Sequence, residues 1–141
     1  MPSANLLRAI QTRWNASGAA SALGDLYLDH APSGTKAPYA TYEIDTGSEA
    51  ADRTVTAGGD PTKKRVHITT EVRFNIFAVG GSAEGHAANL ISDWLKENTE
   101  LNLGENHNLL HWRFVEDFVF KPNETLTQWT VVFQAHYSWK F

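Results

Sequence analysis

The carboxyl-terminal run from Trp129 to Phe141 constrains the fold most. Trp129, Val131, Phe133, Ala135, Tyr137, Trp139 and Phe141 occupy alternate positions, separated mostly by polar residues. A period of two sends successive side chains to opposite sides of an extended chain, so this run predicts a long strand with one dry face. One strand cannot cover its own apolar face, so a sheet is required. A second alternating run precedes it, carrying Leu110, Trp112, Phe114, Glu116, Phe118 and Phe120 on one parity. Pro122 and Asn123-Glu124 form the short connection between them, which predicts an antiparallel hairpin.

A third long run begins at Val66. Val66, Ile68, Thr70, Val72, Phe74, Ile76 and Ala78 share one side, with His67, Thr69, Glu71, Arg73 and Asn75 on the other. Shorter strands are predicted at Leu26–Leu28 and Tyr39–Asp45, where Ala40, Tyr42 and Ile44 alternate with polar residues. Between them, Pro32, Gly34 and Pro38 break regular structure.

Two helices are expected. In the first, Leu7, Ile10 and Trp14 recur at helical spacing beside Leu6, with Ser3 as the predicted cap and an end near Gly18. The second comes after Gly80-Gly81, with Ser82 as cap and an apolar stripe of Ala83, Ala87, Leu90, Ile91, Trp94 and Leu95. From Thr46 to Lys63 no apolar period is present, so residues 46–63 are expected to be a long flexible loop, well above the ordinary ~4–6 residues. The predicted architecture is therefore α+β: one domain spanning residues 1–141, with a single, mixed but mostly antiparallel sheet of about four or five strands. Both helices are expected on one face, leaving the other solvated or in use.

Composition narrows function by exclusion. The chain has 141 residues, 42% hydrophobic and 11% aromatic, enough for one buried core. There is no cysteine, which removes disulfides, thiolate nucleophiles and cysteine-bound zinc. A net charge of −4 argues against a nucleic-acid coat, which needs a basic excess to neutralise phosphates. No apolar run reaches the ~18–20 residues of a membrane span. Met1-Pro2-Ser3-Ala4-Asn5 lacks the basic-then-apolar layout of a signal peptide, so a soluble protein made in a cytoplasm is expected.

The motifs that could carry chemistry read as structural. Ser82 sits at a strand-to-helix turn, but Glu84 stands where a nucleophile elbow needs glycine. The same turn lacks the lysine and spacing of a phosphate loop. His107 and His111 are four apart on an extended segment, which does not converge two imidazoles as a helix would. His67 and His136 can neighbour each other on the wet face, with no third ligand evident. Glu43 with Asp45, and Glu116 with Asp117, read as solvated strand positions. No catalytic residue, metal ligand or cofactor site is therefore expected. Two features remain. Lys63-Lys64-Arg65, with Arg53 upstream, is the only basic cluster. Phe118, Phe120, Trp129, Tyr137, Trp139 and Phe141 are many aromatics for one small sheet, so some surface is expected to be covered by another copy.

The order of these signals resembles the tail terminator, or tail-completion, proteins of long-tailed phages and their prophage relatives. The likeness runs through Leu6-Leu7-Arg8-Ala9-Ile10, then the proline-bracketed His30–Tyr42 segment and Val72-Arg73-Phe74-Asn75-Ile76-Phe77. It continues through the turn into Ala87-Ala88-Asn89-Leu90-Ile91, then Leu101-Asn102-Leu103, Trp112-Arg113-Phe114 and the final strand. It spans nearly the whole chain, and the Thr46–Lys63 linker departs from it. The resemblance implies a non-enzymatic virion subunit, assembled in a bacterial cytoplasm. It would form a ring, expected to be hexameric, at the head-proximal end of the tail tube, stop tube growth and meet the head connector. Arg53, Lys63, Lys64 and Arg65, with Trp139 and Phe141, are the expected contacts to neighbouring copies or the tube. Two other readings stay open. One is a small-ligand or cyclase-like protein using His67, His136 and Glu71 in a pocket between helices and sheet. The other is a generic dimeric module.

Overall fold

Apolar residues at two periods meet in one core. The computed structural model describes residues 2–45, 53–56, 64–95, 101–104, 107–120 and 125–140. In chain order the elements are α1 (Pro2–Asn15), α2 (Gly18–Leu23), β1 (Leu26–Leu28), β2 (Tyr39–Asp45), β3 (Arg53–Thr56), β4 (Lys64–Val79), α3 (Ser82–Leu95), β5 (His107–Phe120) and β6 (Leu126–Lys140). Five strands run in the order β1-β2-β4-β6-β5, and β3 also pairs with β4. The β1–β2 pairing is parallel and every other pairing is antiparallel, so the sheet is mixed.

All three helices bury their apolar residues against one face. Leu6, Ile10 and Trp14 of α1, Leu23 of α2, and Leu90 and Trp94 of α3 join Tyr42, Val72, Phe74, Ile76, Val131, Phe133 and Tyr137. Phe74 is the hub. Its ring lies 5.0 Å from Trp94, 5.8 Å from Phe133 and 6.2 Å from Trp14. Aromatic pairs at such separations add a geometric preference to the area they bury. The Leu101 and Leu103 side chains close one margin of this core. There the Asn5 amide donates to the Leu103 carbonyl. Gly104, at φ +93°, lies so close that a Cβ would meet the Asn5 amide at 3.1 Å.

The helix expectations need four corrections. α1 starts at Pro2, placing Ser3 inside the first turn instead of before it; proline suits that start because its missing N–H would have no helical partner. α1 ends at Asn15, and Gly18, expected as its stop, instead opens α2, a short helix whose small residues hide its period. Ser82 does not cap α3 by accepting a backbone N–H; its hydroxyl donates to the Val79 carbonyl at 2.7 Å. Leu95 is exposed, outside the buried stripe.

Within 46–63, residues 53–56 form β3, so the whole span is not a loop. Arg53, Thr54, Val55 and Thr56 pair with His67, Val66, Arg65 and Lys64. Alternation is too short across four residues to show in the sequence, and the backbone of β4 supplies the missing partner.

Candidate assembly surface

Cross-strand register places residues in rows on the face that the helices leave open. The first row aligns Tyr39, Phe77, Gln128 and Phe120. Tyr39 and Phe77 stack there with ring centroids 4.8 Å apart. The next aligns Thr41, Asn75, Thr130 and Phe118. Its polar members are buried and mutually bonded. The Thr130 hydroxyl donates to Asn75 Oδ1 at 2.8 Å, and Asn75 Nδ2 donates to the Thr41 hydroxyl at 3.4 Å.

The middle rows are charged. Glu43, Arg73, Val132 and Glu116 form one, and Asp45, Glu71, Gln134 and Arg113 the next. Arg73 contacts Glu71 at 2.7 Å, and both side chains are partly solvated. The hydrogen bond that Arg73 donates to Glu71 raises its guanidinium above the ordinary value; the charges of Glu71, Glu43 and Asp45 add to this, against a smaller loss from desolvation. This is a solvated ion pair of little net stability.

Thr69, His136 and His111 share the adjoining row, and the His67 ring lies 5.7 Å from that of His136. The expected histidine neighbours therefore do meet. Among the described residues no group of three or more His, Asp or Glu is arranged to hold a metal ion.

The strand β5 departs from its expected face. Pairing moves from Leu109–Tyr137 to His111–His136 and from Phe114–Phe133 to Glu116–Val132, leaving Leu110 and Val115 as extra residues. Each bulge shifts the parity of the residues beyond it. Trp112 and Phe114 consequently face the helices, with Trp112 stacked 4.9 Å from Phe133. Beyond Val115, Glu116, Phe118 and Phe120 lie on the open face, opposite Val132, Thr130 and Gln128. The expectation that Leu110 through Phe120 share one side is thus overturned. Asp117 takes the helix-side parity instead, where its carboxylate accepts from Trp129 Nε1 at 2.7 Å.

The consequence is an apolar corner. Phe118 is 45% exposed, Val119 47% and Phe120 58%, with Val115 and Val79 also exposed. β5 pairs only with β6, so the backbone edge of this corner is unoccupied among the described residues. The sequence does carry a signal for it: Phe118-Val119-Phe120 is apolar at consecutive positions and Glu116 interrupts the apolar parity. Tyr137, by contrast, belongs to the core, and Trp129 is half-buried.

The expected basic contacts gather at the opposite end of the sheet. Arg53 pairs with His67, Lys64 with Thr56, and Arg65 with both Val55 and Lys140. Trp139 sits between Val66 and His107 in the register. Lys63 and Phe141 lie outside the described residues.

Concave sites are modest. A cleft of about 480 Å³ is bounded by Arg8, Thr12 and Arg13 of α1, Asp93 of α3, and Asn102 and Gly104. Arg13 is engaged there, donating to the Asp93 carbonyl at 2.8 Å with its guanidinium 5.0 Å from the Trp94 ring centre. A second, about 340 Å³, runs between α2 and α3. Neither contains His67, His136 or Glu71, the residues that the ligand-pocket reading requires.

No protein-family model and no curated protein sequence matches the chain. Among solved structures, the chain is similar to one in the virion of a native gene transfer agent particle, with a TM-score of 0.60 and 18% identity. The similarity covers 92% of this chain and 91% of that one, so the two share a fold over essentially their whole length.

Proposed function

We propose that this chain is a structural virion protein of the tail-terminator kind. It forms a ring on the head-proximal end of a phage-like tail tube, ends tube polymerisation and presents a surface to the head connector. The observation that carries this reading is the whole-length fold likeness to a chain of a gene transfer agent virion. The resemblance in the ordered segments Leu6–Ile10, Val72–Phe77 and Trp112–Phe114 is an independent argument for the same class. The open, partly apolar face also suits a subunit whose work is to bind other subunits. In this reading the protein makes and breaks no bonds, and its place is the virion tail, after assembly in a bacterial cytoplasm.

The test is light scattering on the purified chain, then addition to polymerising tube protein from the same particle. A closed ring near six protomers that arrests tube growth is the expected result. A 15.7 kDa protomer at high concentration, with tube length unaffected, would overturn the proposal. A melting shift on addition of a small ligand would instead favour the pocket reading.

A further inference from the structure

The segment of β5 beyond Val115 is built like a strand meant for the inside of a sheet. Phe118 and Phe120 follow Glu116 on the open face and Val119 follows Asp117 on the helix side, so the last three residues are apolar on both sides. Strands apolar on both sides are normally covered on both. Here the strand stands at the sheet margin, an arrangement that natural proteins usually blunt because it templates pairing with another chain. Proline and lysine, the usual blunting residues, do not occur between Val115 and Phe120; Glu116 and Asp117 are the charges there.

The other margin of the same sheet carries the opposite charge. Among the described residues β3 pairs only with β4, on the side of β4 away from β6. Its first residue is Arg53, and Lys64 and Arg65 are its register neighbours at the start of β4. In a chain of net charge −4, this is the one basic cluster, and it lies across the sheet from the acidic, apolar tip of β5.

Resting on the ring reading above, we infer that the two margins are the halves of one head-to-tail contact. The Val115–Phe120 segment of one copy adds as a strand beside β3 of the next. Backbone hydrogen bonds extend the sheet and the phenylalanines become covered. Glu116 meets the basic cluster, fixing which margins pair and in what orientation. Because the two surfaces differ, each copy gives one and receives one, the arrangement that closes into a ring.

The experiment is a charge-swap cycle read by light scattering. Glu116→Lys alone and Arg53→Glu alone are each expected to weaken assembly by about tenfold or more, releasing 15.7 kDa protomers. The double swap is expected to restore assembly. Phe118→Lys, at an exposed position, is expected to release protomers whose far-ultraviolet circular dichroism matches the parent's. Single swaps that leave the ring intact, or a double swap that fails to restore it, would overturn this contact while the ring reading stands. A parent chain that never assembles would overturn both.

Discussion

The two halves of β5 have similar side chains and opposite fates. Before Val115, Trp112 and Phe114 face the helices and pack around Phe133. After it, Phe118 and Phe120 face away from the helices and remain 45% and 58% exposed. Hydrophobicity does not separate the halves. One extra backbone residue does, by changing which side of the sheet the later residues occupy. An apolar alternation therefore shows that a surface will be covered, without showing whether its own chain covers it.

The largest effect expected on the covered side comes from truncating a ring of its aromatic cluster. Trp94→Ala removes a fully buried ring packed on Phe74 and Trp112, and the expected loss is about 3–5 kcal/mol in urea unfolding. The open face should respond less and through polar groups. Asn75→Ala strips the shared acceptor from Thr130 and Gln128, and about 1–3 kcal/mol is expected to be lost in the same assay.

Removing Val115 addresses the comparison itself. Deletion should return Phe118 and Phe120 to the helix-side parity and separate Asp117 from Trp129, costing about 1 kcal/mol. Reduced exposure of the phenylalanines would appear as weaker binding of an apolar dye, and unchanged binding would show that the bulge does not set their side.

The smallest effect is confined to alkaline pH. Burial lifts the Tyr42 hydroxyl above the ordinary 10.0; the Gln11 hydrogen bond partly offsets this and the Asp29 charge adds to it. The neutral hydroxyl is thus favoured in the folded chain, so its stabilisation is full below pH 10 and is lost as pH rises through that value toward the folded one. Tyr42→Phe is expected to flatten this part of the stability profile, as measured by denaturation midpoints between about pH 9 and 11.

Much of the fold is legible locally. The β4 and β6 alternations run unbroken through Val72–Ala78 and Trp129–Tyr137, and both the mixed sheet and the helices on one face agree with the apolar parities. α2 is hidden because Gly18-Ala19-Ala20-Ser21-Ala22 has too little hydrophobic contrast to mark a period. β3 is hidden because its definition lies in hydrogen bonds to β4, not in its own side chains. For the candidate surface, the basic cluster and the aromatic excess at Phe118 and Phe120 are visible in the sequence, while the marginal place of β5, which leaves Val115 and Val119 exposed beside them, is not.

By itself the sequence determined the periods, and with them which residues must leave water and which charges must stay in it. Transfer free energy and the geometry of helix and strand act locally, so they can be read residue by residue. Only the tertiary structure decided which strand stands at the margin and where the bulges fall. It also decided which parity meets the helices after Val115. Register is set by hydrogen bonds between distant segments, and a shift of one residue exchanges every side chain beyond it.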